Sequence, residues 1–389
     1  AGPDFFNAKL KIDGALWVGN IEIHTHSSDW FRHGHHSDKT YDSVILHVVS
    51  EADTEITRSN GEQIPQLLLT CPENVQLHYH ELCVADHYPA CYSILASLPK
   101  LTIHSWLTAL QTERLEQKAQ LITQRLKHCN SNWEDAFFIT LARNFGFGLN
   151  GDAFETWAGL LPFRAMDKHR NDLFQIEAFF YGLAGLLKET FLKKEQEDEY
   201  SLRLCKEFRY LQRKFEIGQG MDATLWRFLR LRPENFPHIR LAQLAYLYQK
   251  GDKLFSRLLE AETLADVRTL LDARTSPYWE NHYLFVRLSS QKEKVMGERS
   301  KDLIIINTVV PFLYTYGLHK ADERMCERAG RFLEELKAES NHIIRSWSDA
   351  GLPVVSAADS QALIQLQKEY CDKRKCLYCR FGYEYLKHT

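Results

Sequence analysis

Nine of the 17 histidines (His24, His26, His33, His35, His36, His47, His78, His80 and His87) fall within the first 87 residues, where an even spread would put roughly four. Some of them stand at spacings that could do chemistry. In the segment ALWVGNIEIHTH, strand alternation sets Ile21 and Ile23 on one face and Asn20, Glu22, His24 and His26 on the other. Adjacent members of that second face lie about 7 Å apart at Cα, within reach of one metal ion. The chain then supplies His33, His35, His36, Asp38 and Asp42 in one short stretch, and VQLHYHELC repeats His-x-His at His78 and His80. Borderline ions such as zinc, nickel, iron(II) or manganese accept such a mixture of imidazole and carboxylate. The structural alternative is that strand histidines are satisfied polar residues and that the run HGHH is an exposed cluster.

Three mechanistic templates bear on these residues. A metal-dependent nuclease of the restriction type requires an acidic residue facing a Glu-x-Lys strand, to hold the ion and orient water. Glu22-Ile23-His24, followed by a short helix and a strand at 42–51, has that order with histidine in place of lysine. With Gly14 as the hairpin turn, Asp13 lies about 25 Å from Glu22 along the strand, so Asp38 or Asp42 is left as the acidic partner. A cupin-like motif fits less well, since Gly19 stands one residue too close to His24 and no glutamate follows His26 at the expected distance. A Cys-His nucleophile, Cys83 or Cys91 with His87, needs a spatial adjacency that spacing does not establish. The expected site is therefore Glu22, His24, His26 and Asp38 as metal ligands, with Glu22, His33, His35, His36 and Asp42 as catalytic groups. The expected cofactor is a divalent ion (Zn, Mn or Mg), with no nucleotide cofactor.

The elements that must position these residues divide the chain in two. Residues 1–100 read as β-rich: a hairpin, a short helix capped by Ser27 or Ser28 and ended by Gly34, a buried strand at 42–51, and two more strands in IPQLLLT and VQLHYHELC. From residue 101 to 389 the period is helical. Leu115, Ala119, Ile122 and Leu126 mark one face of a long helix, and further helices begin at polar caps and end at Gly or Pro. The mixed-charge run at 188–200 reads as a solvated face and a sub-boundary. The apolar stretch Leu303 to Leu318, broken by Pro311, reads as a buried core helix too short to span a bilayer. Gly146 to Gly151 matches Gly-x-Gly-x-x-Gly, but a helix rather than a strand enters it, so it reads as a helix end and turn. The fold class is α+β, a small N-terminal β-rich (α+β) domain followed by a large all-helical domain.

Composition excludes other classes. With 48 basic against 51 acidic side chains the molecule is no polycation, and 44% hydrophobic residues exclude a disordered chain. Segment 203–240 carries a local excess of Arg and Lys with Phe208, Tyr210, Phe215, Trp226 and Phe228 interleaved. That suits a nucleic-acid partner, and suits equally a helix with a core face and a solvated face. Cys371, Cys376 and Cys379 form a second candidate metal set, with His388 or Cys326 to complete it, or stand as plain thiols. An odd count of nine cysteines, no sequon and no signal peptide in the opening residues lead to the expectation of a cytoplasmic protein without a membrane partner.

The run GNIEIHTHSSDWFRHGHHSDKTYDSVILHVV resembles the signature of a bacterial family known as domain of unknown function 2851, with its Gly-x-x-Glu-Ile-His, Ser-x-Asp-Trp, His-Gly-His and Val-x-Leu-His-Val-Val elements. The resemblance implies a bacterial cytosolic protein and carries no activity. From the residues alone, the expected function is a metal-dependent hydrolase, phosphodiesterase- or nuclease-like. The alternative is a binding or scaffold protein with structural histidines.

Overall fold

The computed structural model describes residues 2–12, 14–187 and 198–387. It consists of two compact units, one formed by Ala1–Ile94 with Arg374–Thr389 and the other by Leu95–Lys373. The division falls at residue 94 rather than 100, and the C-terminal residues return to the first unit instead of ending the helical one.

The first unit is built on a four-stranded sheet in the order β1-β2-β3-β4. Strands β1 (Phe5–Ile12) and β2 (Ala15–His26) form an antiparallel hairpin whose turn includes Gly14 at φ +83°. Strand β3 (Val44–Glu51) runs parallel to β2, reached through helix α1 (Asp29–Arg32) and two 3₁₀ turns. The β1–β2 register is Ile12↔Ala15 at the turn and Phe5↔Ile21 at the far end, with a bulge between Phe5 and Ala8. Asn7 takes a left-handed backbone there (φ 53°), and its N–H donates to Asn20 Oδ1 (3.0 Å) while Asn20 Nδ2 donates to Ser43 Oγ (2.7 Å). One side chain thus locks the bulge to the start of β3.

Alternation along β2 is as expected, yet the inward face is the polar one. Asn20 and Glu22 are 8% and 6% exposed, whereas Trp17 and Ile23 on the outer face are 40% and 46% exposed. Beneath the polar face lies a small core of Trp30, Tyr41, Val44, Ile56 and Ile64.

Two expected strands are corrected. IPQLLLT contributes only the three-residue β4 (Gln66–Leu68), parallel to β3. VQLHYHELC is not a strand but most of helix α2 (Glu73–Val84), which packs against the C-terminal helix Arg380–Lys387. Its alternating apolar residues do not line a buried sheet face, since Leu77 is 64% exposed and Leu82 is the residue it buries. Strong helix formers such as Glu73, Gln76, Glu81 and Leu82 then decide the local structure.

The second unit is helical. Leu115, Ala119, Ile122 and Leu126 are buried on the helix Lys100–His128, and the helix Leu173–Leu183 is buried from Ile176 onward. The stretch 303–318 is the expected buried helix, with a π turn at Ile305–Val309 just before Pro311. A helix ending at Phe145 enters the glycine-rich run 146–151, as expected of a C-cap. In segment 203–240, Trp226 is 4% exposed and Phe208, Phe215 and Phe228 pack against the core, leaving Tyr210 as the exposed ring among the five. Most of the proposed base-stacking rings are therefore core residues. Residues 188–197 and Asp13 lie outside the described residues.

Gly19 faces β3 so closely that a Cβ would overlap Ile45 Cγ2 and sit 2.8 Å from the Ser43 carbonyl oxygen. Gly19→Ala is expected to destabilise the sheet unit by about 1–3 kcal/mol, the usual cost of forced overpacking. Hydrogen exchange of the β2 and β3 amides measures it, and unchanged protection contradicts this tight approach.

Candidate functional site

The histidine cluster forms where β2, α1 and the following loop meet. Ser27 turns the chain out of β2, its carbonyl accepting the Trp30 N–H (3.1 Å), and α1 carries it to His33. Gly34, left-handed at φ 77°, reverses the backbone so that His33 and His35 both point back at β2. The His35 ring stacks on Tyr41 with centroids 3.8 Å apart and meets the edge of Trp30, which fixes its orientation.

Among the described residues, His24, His33 and His35 are the group whose ligand atoms all lie within 4.8 Å of one another. Two of these rings also face Glu22: its Oε1 is 3.6 Å from His24 Nε2 and 3.4 Å from His35 Nε2. His33 Nδ1 lies 3.1 Å from His24 Nε2. Four ligands about 2.0–2.1 Å from a tetrahedral ion stand about 3.4 Å apart, so these separations fit one ion. Imidazole nitrogen suits zinc best, whereas manganese and still more magnesium favour oxygen ligands such as the Glu22 carboxylate.

Burial sets the charge state. Burial, followed by the charges of His35 and His33, holds the His24 pKa below its ordinary value, and burial with the charge of His33 does the same for His35. His47, fully buried on β3, is pushed down to about 4 by burial and by His24 and His35. These rings are neutral near pH 7 and offer lone pairs. Glu22 is shifted the other way, raised by burial, lowered in part by the Asp4 N–H and raised again by the Asp4 charge.

Two contacts orient the cluster from behind. His24 Nδ1 and His47 Nε2 are 2.8 Å apart, so one ring donates to the other. For His24 to present the Nε2 lone pair, its proton must sit on Nδ1, donated to His47. His47 then carries its own proton on Nδ1, which has no hydrogen-bond partner, at a cost of about 1–3 kcal/mol. The second contact comes from a residue that spacing did not identify. Asp4, at the foot of β1, donates its N–H to Glu22 Oε2 (3.0 Å) and accepts the Ile23 N–H at Oδ2 (3.0 Å). Counting back from the Gly14 turn sets Asp4 opposite Ile23, and the bulge at Asn7 brings it level with Glu22, so register arithmetic from the turn was the available signal.

The remaining expected residues are elsewhere. His26 is 47% exposed and faces Glu51 (3.4 Å) and Asp29 (3.9 Å), because strand curvature carries its ring past the cluster. His36 is exposed and rests on Phe31. Asp38 caps a 3₁₀ turn through Thr40 N and Oγ1, and Asp42 accepts from Ser59 N and Oγ in the loop at residues 58–62, so both carboxylates are engaged away from the cluster. His78 and His80, two apart on a helix, do not share a face; His78 Nδ1 lies 3.4 Å from the Leu386 carbonyl. Burial, with the Cys379 and Cys376 thiols next, pushes the Cys91 thiol up to about 12, the opposite of an activated nucleophile. Cys371 belongs to the second unit, whereas Cys376 and Cys379 belong to the first.

Fold and site together define an α+β protein whose small sheet unit buries a carboxylate against a histidine cluster and whose larger unit is helical. The chain belongs to the family described as protein of unknown function (DUF2851), whose model matches residues 1–342. No curated protein and no solved structure matches it. No described helix is long and apolar enough to cross a membrane.

Because His47 orients His24 from behind, His47→Phe is expected to keep the fold, filling the space beside Trp30, while weakening zinc or manganese binding about 10–100-fold. Titration calorimetry reads this directly. Equal affinities in variant and wild type remove His47 from the site.

Proposed function

We propose that the protein is a metal-dependent hydrolase of phosphodiesters, nuclease-like in the layout of its site. One observation carries the reading: the acidic partner required opposite a Glu-x-His strand is present as Asp4, tied to Glu22 and Ile23 across the hairpin. The hairpin is followed by a short helix and a parallel strand, the order that the restriction-type template requires.

In this reading His24, His33 and His35 hold a zinc or manganese ion. Such an ion supplies Lewis acidity toward a phosphoryl oxygen and acidifies a bound water. Glu22, its pKa raised by burial, takes the proton from the attacking water. Asp4 is exposed, commits Oδ2 to the Ile23 N–H, and offers its other oxygen at the mouth to orient substrate or water. His35, held by its stack on Tyr41, and the more exposed His33 would be the ligands that join His24.

The test uses protein purified without a histidine tag. About one equivalent of zinc or manganese is expected, together with cleavage of DNA, RNA or a bis-aryl phosphate. Glu22→Gln and Asp4→Asn are each expected to slow cleavage by about 10²-fold or more. Thermal unfolding midpoints near the wild-type value show that the variants fold. Less than about a tenth of an equivalent of metal with no thermal shift on adding it, or cleavage unchanged in Glu22→Gln, overturns the reading and returns the histidines to a structural role in a binding protein.

A further inference from the structure

The hydrolase reading makes no use of the helical unit, yet that unit holds a cleft of about 730 Å³. It lies among the helices Lys100–His128, Trp133–Phe145 and Gly151–Gly159 and the π turn that precedes Pro311. Such a volume is in the range of small-molecule sites. The apolar part of its lining includes Ile122, Ile139 and Pro311, and the charged part includes Lys118, Arg125, Arg143 and Glu155.

Pro311 shapes the polar wall. It has no N–H to give the Asn307 carbonyl four residues earlier, and Asn144 Nδ2 takes that place (3.0 Å) while also donating to Thr308 Oγ1 (2.8 Å). Asn307, inside the π turn, accepts Lys118 Nζ at Oδ1 (3.1 Å), and Gln361 Oε1 is the other acceptor of that amine (2.9 Å). π turns of this kind recur at functional sites. Both acceptors are uncharged amide oxygens, and Glu339 joins the group at second hand, by accepting from Gln361 Nε2. The two arginines are placed differently. Both donate to Glu155, and Arg143 donates to Asp152 as well (2.7 Å), so two cations face two carboxylates. Lys118 is thus the half-buried cation of the lining whose direct partners are all neutral. Burial, with the Arg114 charge next and Glu339 opposing, holds its pKa well below the usual lysine range, as befits an ammonium short of negative partners.

We propose that this cleft binds a small apolar monocarboxylate, its carboxylate against Lys118 Nζ and its hydrocarbon part along Ile122, Ile139 and Pro311. An ammonium withdrawn from water among neutral partners is costly, and an anion beside it offsets that cost. The count of donors separates a carboxylate from a phosphate. Of the three donors of the Lys118 ammonium, two are given to Asn307 and Gln361, which leaves one. Asn307 Nδ2 is given to the Leu303 carbonyl (3.0 Å), and Asn144 Nδ2 to the π turn. One donor and one charge match a carboxylate, whereas a phosphate monoester carries about −1.5 to −2 charge and three acceptor oxygens.

The experiment is titration calorimetry of the full chain with octanoate, with octanamide as the uncharged analogue and with octyl phosphate. Octanoate is expected to bind saturably at one site, with octanamide and octyl phosphate each about tenfold weaker or more. Lys118→Met keeps the side-chain length without the charge. It is expected to weaken octanoate about 10–100-fold, the worth of one hydrogen bond to a charged group, and to leave octanamide unchanged. Lys127→Met, exposed on the same helix and outside the cleft lining, keeps the wild-type affinity. The comparison of the three ligands on the wild-type chain stands whether or not a variant folds. Absence of saturable octanoate binding, equal affinity for octanoate and octanamide, tighter binding of octyl phosphate, or undiminished octanoate affinity in Lys118→Met overturns the proposal.

Discussion

Burying the carboxylate of Glu22 is the constraint around which the sheet unit is arranged. A carboxylate removed from water without partners costs several kcal/mol. Here it is answered by the Asp4 N–H, with the His24 and His35 imidazole nitrogens 3.6 and 3.4 Å away. Those partners arrive from three places in the chain: the foot of β1, the middle of β2 and the loop after α1. Holding them together requires the β1–β2 register, the bulge at Asn7 and the Gly34 reversal at once.

The same constraint explains an otherwise odd sheet. β2 turns its Asn20–Glu22–His24 face inward and leaves Trp17 and Ile23 exposed, the reverse of the usual burial rule. A polar interior is tolerated only when its groups satisfy one another. The network Asn7–Asn20–Ser43 does so at one end of the strand, and Asp4–Glu22–His24–His47 does so at the other, with the unpartnered Nδ1 of His47 as its unsatisfied residue. Stability given up in this way is common where side chains are arranged for chemistry.

Much of this was legible before any coordinates. The alternation that places Glu22 and His24 on one face, the buried strand expected at 42–51 and the helical period after residue 100 follow from period-2 alternation, a β-branched run and period-3.6 patterning, and all are present, the strand as Val44–Glu51. The helix at 73–84 was misread because its apolar residues happen to alternate while most stay exposed, so the pattern records no burial at all. Asp38 and Asp42 looked like ligands by proximity in sequence, yet a local turn bond to Thr40 claims the first and hydrogen bonds to Ser59, seventeen residues on, claim the second. Asp4 was overlooked for the converse reason: its partner is eighteen residues away, and a one-residue bulge decides whether it meets Ile23 or Glu22.

The amino-acid sequence by itself determined residue type and periodicity, because those are local: which side chains can ligate, and which face of one strand they share. Only the tertiary structure decided which of nine N-terminal histidines converge, that His33 and His35 join His24 while His26, His78 and His80 do not, and that the Asp4 N–H reaches the Glu22 carboxylate. It also decided that helix α2 packs against the C-terminal helix Arg380–Lys387, almost three hundred residues further along the chain. Convergence depends on register, on bulges and on helix-to-helix packing, each a non-local balance of buried area against satisfied hydrogen bonds, and no count along the chain contains that balance.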